Sequence, residues 1–326
     1  WTAVEMLKNG SHVDIRERYA VIGGDEDARR GIVTAKSNPC KARGVVTAES
    51  LYSARRKCPY LEVYKGDFKV FRKYSDMMYK YLLNYTDIIE RYSIDECFLD
   101  YTGSIKLFGD PIKVAYKIKD DIKNKFGFTV NVGIGNNKLE AKMASDFTKP
   151  DRVHTLFDNE IKDKMWKLPI NDLFMVGKST TAKLMDMGIK TIGDLANYNV
   201  DILIKKFKSY GKLMWEFANG IDNSEVEAKK EDPKSVSSST VLPYNYSDKR
   251  EMYKVLKMLA CDTGKRLRDK KLYAYSVNIW IKYSDFRKVS KQIALYNGIS
   301  SDNDIYEYAC SLFDKLWNAD SYVRGL

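Results

Sequence analysis

Several features that identify particular protein classes are absent from this sequence. None of the five cysteines forms a Cys-x-x-Cys pair, and only two histidines are present. A structural zinc site is therefore not expected, and scattered cysteines of this kind favour a reducing cytoplasm. No apolar run approaches the ~20 residues that a membrane-spanning helix needs, so no membrane partner is expected. No signal peptide precedes the first helical segment.

Positive charge is in excess. The chain of 326 residues carries 55 Lys and Arg against 44 Asp and Glu, which gives a net charge of +11. An excess of this size favours a polyanionic partner, with nucleic acid ahead of a membrane surface. The length allows two or more domains, and 44% hydrophobic residues with only seven prolines are typical of folded domains.

Two adjacent carboxylates, Asp95 and Glu96, stand at the start of a strand-like run in this basic chain. Clustered acids commonly hold Mg²⁺ against phosphates, because that ion prefers hard oxygen ligands and phosphates complete its shell. The alternative is an ordinary strand whose acidic side chains point to solvent. The pair alone leaves both interpretations open.

Composition divides the chain into successive segments. The second alternates helix and strand signals, which favours an α+β layer with one covered face. The third has only helical signals, and the fourth is polar and is the best linker in the sequence. The expected boundaries are 1–66, 67–157, 158–229, 230–239 and 240–326.

Local signals set several element boundaries. Asp110 and Pro111 match the N-cap and the first position of a helix whose stop signal is Gly127. A strand is predicted at 129–134, and an alternating strand at 275–283 is expected to continue into the basic run 285–291. The apolar face of the helix is expected at Ile112, Ala115, Ile118, Ile122 and Phe126.

The motif Gly177-Lys178-Ser179 is similar to the end of a nucleotide-binding P-loop, but that loop needs a glycine where this chain has Asp172. A glycine turn between two short helices instead favours a helix-hairpin-helix. Such a turn presents backbone N–H groups to a DNA phosphate without reading bases. A plain helical turn is the structural alternative.

Two other glycine motifs are explained by turns. Gly133 and Gly135 lack the third glycine of a dinucleotide fold and fit a tight strand-to-helix turn. The run Gly23-Gly24-Asp25-Glu26 is similar to the hairpin of diguanylate cyclases. Asp27 stands where that motif has Phe, which favours a solvated hairpin loop.

The helix after the strand at 129–134 carries Lys138, Lys142 and, at its end, Lys149. Lys138 and Lys142 share a helical face. A solvated basic face is the ordinary explanation of such a pattern. The functional explanation is a set of cations that meets a triphosphate arriving at the carboxylate pair.

In this order and at these separations, the motifs resemble those of Y-family (translesion) DNA polymerases over nearly the whole chain. The match includes the central catalytic signature, the second palm motif, the thumb and the strand of the little-finger domain. These correspond to residues 92–100, 129–150, 168–195 and 283–290. The polymerase IV and polymerase V branches both fit.

The resemblance implies the fold and the activity. The fold would be an α+β right hand with fingers and a remnant of the N-terminal palm at 1–66, palm at 67–157, helical thumb at 158–229 and a separate α/β little finger at 240–326. The activity would be low-fidelity, template-directed synthesis across damaged bases, by two-metal transfer of a nucleotide from a dNTP to a primer 3′-hydroxyl. Primer–template DNA and dNTP would be the partners, and a sliding clamp is a further candidate through a segment outside this chain.

The resemblance also assigns site residues. Asp95 and Glu96 would be two of three carboxylates that hold a pair of Mg²⁺ ions. Lys149 matches the palm lysine that contacts the triphosphate. Trp1 matches the aromatic position that excludes ribonucleotides by packing under the sugar.

In the fingers, the family often has a Tyr and an Arg that grip the phosphates, and those positions hold Asn38 and Lys41 here, with Arg43 as a rival. A lysine is a point charge and cannot make the bidentate fork of Arg. Duplex DNA would be held through its phosphates. The residues implied in that role are Gly177, Lys178, Arg287, Lys288 and Lys291.

Both ends of the chain depart from the family pattern. The first metal-binding Asp lies before the position of Trp1, and the last little-finger strand should continue beyond Leu326. We therefore expect a fragment that is inactive, or nearly so, until its N-terminus is restored. Two other functions stay open: a palm-type nucleotide cyclase, which needs no primer, and a non-catalytic DNA-binding scaffold, which binds duplex without extending it.

Overall fold

The computed structural model describes residues 1–29, 31–229 and 232–326. The fold divides into two compact units, one formed by Trp1–Gly10 with Asp67–Lys230 and the other by Ser11–Gly66 with Glu231–Leu326. Each unit therefore joins segments that are distant in sequence. The first two residues of the predicted linker 230–239 lie outside the described residues. No helix within the described ranges is long and apolar enough to cross a membrane.

Helices and strands are mixed in both units. The α-helices are α1 Thr2–Lys8, α2 Asn38–Ala42, α3 Leu51–Lys57, α4 Phe68–Leu82, α5 Ile105–Phe108, α6 Pro111–Phe126, α7 Lys138–Asp146, α8 Lys178–Met185, α9 Ile192–Ala196, α10 Val200–Phe207, α11 Ser209–Ala218, α12 Lys249–Asp269 and α13 Asp302–Leu316. The strands are β1 Ala20–Gly23, β2 Val33–Lys36, β3 Glu62–Lys65, β4 Ile89–Arg91, β5 Cys97–Leu99, β6 Val132–Ile134, β7 Val153–Thr155, β8 Val241–Tyr246, β9 Ala274–Tyr283, β10 Lys288–Ile299 and β11 Val323–Gly325.

Helix α6 of the first unit has the boundaries that its sequence predicts. The side chain of Asp110 accepts the backbone N–H of Ile112, and Pro111 occupies the first turn, where its missing N–H costs nothing. Gly127 ends the helix in the left-handed region at φ 83, a conformation that glycine adopts without steric cost. Both ends of this helix are therefore set by local chemistry.

The buried stripe of α6 differs from the expected one in its first turn. Val114, Ile118 and Ile122 repeat at intervals of about one turn and face a core shared with α4 and the β4–β5 hairpin. Ile112 is exposed, so its prediction as a core residue is wrong. It precedes Val114 by two residues, which corresponds to a rotation of about 200° around the helix.

Helix α7 packs on a short parallel pair formed by β6 and β7. Strand β6 is shorter than the strand predicted at 129–134, because only its last three residues are extended and paired. Leu139 and Met143 of α7 belong to the same buried core as Leu184 of α8 and Leu203 of α10. The helical segment that follows α7 is therefore anchored on it.

The second unit contains two sheets. Strand β1 lies between β2 and β3 and pairs antiparallel with the first and parallel with the second. The other sheet has the order β10-β9-β11-β8. Helices α12 and α13 cover one of its faces, where Leu256 and Phe313 pack against Ile279 and Ile281 of β9.

Strand β10 corrects the prediction that the basic run at 285–291 continues β9. The chain turns instead, because the backbone N–H of Tyr283 donates to the carbonyl of Arg287 at 2.9 Å and the N–H of Arg287 donates to Asp285 Oδ1. β10 then returns antiparallel to β9, with Lys288 opposite Lys282. The basic residues therefore lie on a hairpin.

A buried carboxyl group lies at the N-terminus of α7. Glu140 has no exposed surface, and its Oε2 accepts the backbone N–H of Asn136 at 2.6 Å. Burial and the nearby carboxyl of Asp158 raise the pKa of Glu140 to about 7. The folded protein therefore binds a proton at this group more tightly than the unfolded chain does.

We predict that Glu140→Gln removes a pH dependence of stability. Because the folded pKa lies above the ordinary value, this group stabilises fully below pH ~4.5, and the contribution is lost as pH rises through about 7. Urea unfolding should show that the free energy of unfolding of the wild type falls by about 2–3 kcal/mol between pH 5 and pH 8, whereas that of the variant does not.

Glu160→Gln is the control for this experiment. The pKa of Glu160 is lowered in spite of its partial burial, by hydrogen bonds from Lys164 and from the Phe157 backbone. Its carboxylate is therefore ionised throughout this pH range. The free energy of unfolding of Glu160→Gln should depend on pH as that of the wild type does. If the free energy of unfolding of Glu140→Gln depends on pH as that of the wild type does, Glu140 is not the group that binds the proton.

Candidate functional site

Asp95 and Glu96 lie at the tip of the hairpin formed by β4 and β5. The two strands pair antiparallel, with Arg91 opposite Cys97, and the turn is closed where the N–H of Ser93 donates to the carbonyl of Glu96 at 3.2 Å. The hydroxyl of Ser93 donates to Asp95 Oδ1 at 2.9 Å. Asp95 is exposed and Glu96 is half-buried. The turn thus presents two neighbouring carboxylates at one end of the hairpin.

Lys142 of α7 contacts this turn directly. Its Nζ forms an ion pair with Glu96 Oε1 and lies 3.4 Å from Asp146 Oδ2. Only 14% of the Lys142 side chain is exposed. Burial by itself would lower the pKa of Lys142, but the carboxylates of Glu96 and Asp146 outweigh it and raise that pKa. The lysine therefore stays charged and holds Glu96 in place.

Lys149, the lysine predicted to contact a triphosphate, is joined to this cluster through Asp146. Its Nζ lies 2.6 Å from Asp146 Oδ1, and 51% of its side chain is exposed. The ionic chain therefore runs from Glu96 through Lys142 and Asp146 to Lys149. Lys149 is predicted at the end of this helix, but α7 ends at Asp146, and Lys149 lies three residues beyond it. The sequence analysis missed Asp146, although its spacing of four residues from Lys142 indicates one helical face.

The position of Lys142 depends on a close approach between α7 and β6. A Cβ atom on Gly133 would lie 1.9 Å from the carbonyl oxygen of Ala141 and 2.5 Å from the backbone nitrogen of Ser145. The helix backbone thus rests directly on the strand. Gly133 is more than part of a turn, because only a residue without a side chain allows this contact.

The other predicted residues of the first unit are Trp1, Gly177 and Lys178, and they differ in their surroundings. The ring of Trp1 stacks on that of Tyr74 at 6.4 Å between centroids and meets Phe128 edge-on at 5.8 Å. Gly177 is the N-cap of α8, and Lys178 is its exposed first residue. Trp1 is thus part of an aromatic core, while the start of α8 is open to solvent.

The predicted fingers residues belong to the second unit. Asn38 and Lys41 lie in α2 and are exposed, and Arg43 follows the end of that helix. The guanidinium of Arg43 lies 5.4 Å from the centre of the Tyr19 ring, and its Nη2 donates to the Tyr19 hydroxyl at 3.4 Å. Lys41 extends into solvent, whereas Arg43 is held against its own unit.

In the β10-β9-β11-β8 sheet, the face opposite helices α12 and α13 is basic and aromatic. We define this open face by the side chains of β9, β10 and β11 that point away from Ile279 and Ile281. Lys288 Nζ lies 4.1 Å above the Trp280 ring, and Lys282 and Arg324 lie 4.9 and 4.6 Å from the Phe286 ring. The sequence analysis missed Lys282 and Arg324, because the sheet order and register were not known.

The predicted DNA-binding residues of the β9–β10 hairpin lie on opposite faces of the sheet and in the turn. Lys288 pairs with Lys282 and lies on the open face, whereas Lys291 pairs with Ile279 and lies on the face that the helices cover. Side chains alternate along a strand, so an even spacing keeps a face and an odd spacing changes it. Arg287 lies in the turn, 4.9 Å from the centre of the Tyr283 ring.

The carboxylate turn fits the chemistry of a Mg²⁺ site. Within the described ranges no three His, Cys, Asp or Glu side chains converge as metal ligands, but Mg²⁺ is commonly bound by one or two carboxylates with substrate phosphates and water. Glu96 already meets a positive charge, that of Lys142. The donors are hard oxygen atoms, which suit this ion.

Family profiles match most of the chain. One described as the impB/mucB/samB family covers residues 2–146, and one described as the C-terminal domain of that family covers residues 233–326. A third, described as the thumb domain of DNA polymerase-iota, covers residues 171–222.

Similar curated proteins match along almost the full chain. DNA polymerase IV from Clostridium acetobutylicum is 49% identical over 320 residues, which cover 98% of this chain and 81% of that protein. DNA polymerase IV from Acetivibrio thermocellus is 37% identical, with 97% and 79% covered. DNA polymerase IV 2 from Bacillus subtilis is 35% identical, with 99% and 80% covered.

Solved structures share the fold. A Y-family DNA polymerase chimera of Dbh and Dpo4 superposes with a TM-score of 0.85 at 23% identity, covering 99% of this chain and 93% of that chain. DinB from Sulfolobus solfataricus superposes at 0.63 with 23% identity and the same coverage. The predicted α+β right-hand fold is confirmed.

We predict that Gly133→Ala destabilises the first unit by about 2–3 kcal/mol, because the added methyl group meets backbone atoms of α7 that cannot turn aside. Urea unfolding monitored by circular dichroism measures this loss. Gly103→Ala is the control, since a Cβ atom there meets nothing within 4 Å. Equal effects of the two substitutions would refute the close approach.

Proposed function

This chain belongs to the impB/mucB/samB family of Y-family DNA polymerases, and from this membership we propose that it copies damaged template DNA by adding deoxynucleotides to a primer 3′-hydroxyl. The observation that carries the proposal is the turn at Asp95 and Glu96, because it presents two carboxylates beside a buried lysine. The relatives named DNA polymerase IV support the same activity and favour the polymerase IV branch. Low fidelity belongs to the proposal, since small fingers would enclose the new base pair poorly.

Asp95 and Glu96 would hold a pair of Mg²⁺ ions together with substrate phosphates and water. When bound, the ions would activate the primer hydroxyl and neutralise charge on the triphosphate and the leaving pyrophosphate. The ion pair with Lys142 would orient Glu96 for this role. Asp95 is exposed and its carboxylate is accessible from solvent.

Cationic side chains would bind the triphosphate. Lys149 is half exposed and paired with Asp146 only at the surface, where an ion pair is weak enough to exchange for a phosphate. Lys41 would contact the triphosphate as a point charge, and Arg43 is the alternative residue for this role. Asn38 would contribute an uncharged contact. Trp1 would pack under the sugar and exclude ribonucleotides.

Duplex DNA would be held through its phosphates by two surfaces. The start of α8 offers Lys178 and backbone N–H groups next to Gly177, which suits a phosphate at a helix N-terminus. The open face offers Lys288 with Lys282 and Arg324, each held over an aromatic ring. Binding of this kind ignores base sequence and weakens steeply with salt.

We predict that Asp95→Ala in the full-length protein lowers the rate of primer extension by about a thousandfold or more, because one metal-binding carboxylate is lost. The affinity for primer–template should change by less than about twofold, since Asp95 would contact no phosphate directly. Single-nucleotide extension and fluorescence anisotropy measure the two effects. Asp87→Ala, at an exposed acid before β4, is the control, and extension surviving Asp95→Ala would exclude the metal assignment.

We also predict that Lys288→Ala weakens primer–template binding by about three- to tenfold and lowers the slope of log affinity against log salt by about 1. Lys291→Ala removes the same charge from the same strand but from the helix-covered face. It should change the affinity by less than about twofold. If the two substitutions weaken binding equally, the open face is not the DNA-binding surface.

A further inference from the structure

Glu90 of β4 and Lys138 of α7 form a second ion pair in the first unit. Lys138 Nζ lies 2.8 Å from Glu90 Oε2, and the two side chains are only 17% and 19% exposed. Lys138 also lies 5.5 Å from the centre of the Phe98 ring, which belongs to β5. The pair is thus largely removed from water and lies against the strand that follows the carboxylate turn.

Both members of this pair also bind the main chain of residues 220–227, which we call the exit segment. Lys138 Nζ donates to the carbonyl of Glu225 at 3.0 Å. The backbone N–H of Glu227 donates to Glu90 Oε2 at 3.1 Å. The ion pair therefore offers one donor and one acceptor to main-chain groups of a neighbouring segment.

The exit segment is tied to the N-terminus of α7 at a second point. The side-chain amide of Asn137 donates to the carbonyl of Gly220 at 2.8 Å. The backbone N–H of Leu139 donates to Asp222 Oδ2 at 3.1 Å. Residues 221–227 form no helix or strand of their own, so their course depends on these bonds.

We propose that Glu90 and Lys138 form a positioning site that fixes where the chain leaves the first unit after α11. They touch no substrate and act through the exit segment. Loss of either side chain would leave its buried partner unpaired and would free main-chain groups of the segment. The chain continues from this segment to the second unit, which carries the open face. An effect of this site on DNA affinity therefore rests on the proposed function, whereas the hold on the exit segment does not.

Limited digestion with a glutamate-specific protease tests the hold on the segment directly. The carbonyl of Glu225 in this segment accepts from Lys138, so cleavage after Glu225 requires release of the segment and reports how often it occurs. In Lys138→Met we expect cleavage about tenfold faster than in the wild type. Glu90→Gln is a milder second variant and should also accelerate cleavage, by a smaller factor. The double variant should be no worse than Lys138→Met, since paired residues are not additive.

Lys164→Met is the matched control. Lys164 Nζ also bridges a carboxylate and a carbonyl, lying 2.6 Å from Glu160 Oε1 and 3.0 Å from the carbonyl of Thr155. It does not bond to the exit segment in the described residues, so its removal should change cleavage by less than about twofold. Equal acceleration in both lysine variants would overturn the positioning role, because general destabilisation would then explain it.

Fluorescence anisotropy with a labelled primer–template completes the test. We expect Lys138→Met to weaken binding about fivefold and Lys164→Met to change it less than about twofold. Faster cleavage with unchanged affinity would overturn the link between the exit segment and DNA. If the wild-type chain binds no DNA, the proposed function fails, and cleavage alone then decides whether Glu90 and Lys138 position the segment.

Discussion

The candidate site depends on how closely helix α7 approaches strand β6. Because Gly133 has no side chain, the backbone of α7 rests on the strand, and this contact determines where Lys142 meets Glu96. The same nine-residue helix carries Lys138 near the exit segment and the buried Glu140 at its first turn. One helix thus connects the carboxylate turn, the exit segment and the core of α8–α11. A side chain at Gly133 would disturb all three together.

Local chemistry could be predicted from the sequence, and contacts between distant elements could not. Asp110 and Gly127 set the ends of α6 through capping, which involves neighbours only. Glu96 and Lys142 are 46 residues apart, and nothing in their spacing favours Lys142 over Lys149 as the direct partner. Lys288 and Lys291 are an odd number of residues apart, so a strand places them on opposite faces, but which of the two faces the helices cover follows from packing that the sequence does not reveal.

The open face favours a polymerase over other metal-dependent nucleotide enzymes. A carboxylate turn with nearby lysines would serve any metal-assisted nucleotidyl transfer, including that of a cyclase. A cyclase that needs no primer has no use for a basic sheet face. Here lysine and arginine side chains lie over the Trp280 and Phe286 rings, an arrangement that holds charge at the surface. This face agrees with a polymerase that grips duplex DNA outside its catalytic turn.

Primer extension by the full-length protein on matched damaged and undamaged templates tests the central claim most directly. The account predicts templated addition of deoxynucleotides to the primer in both cases, including synthesis past the damaged base, and no product from dNTP alone. Conversion of a nucleoside triphosphate without primer would support the cyclase instead. Tight duplex binding by the full-length protein with no extension would support the scaffold. Either result would contradict the assignment of Asp95 and Glu96 to DNA synthesis.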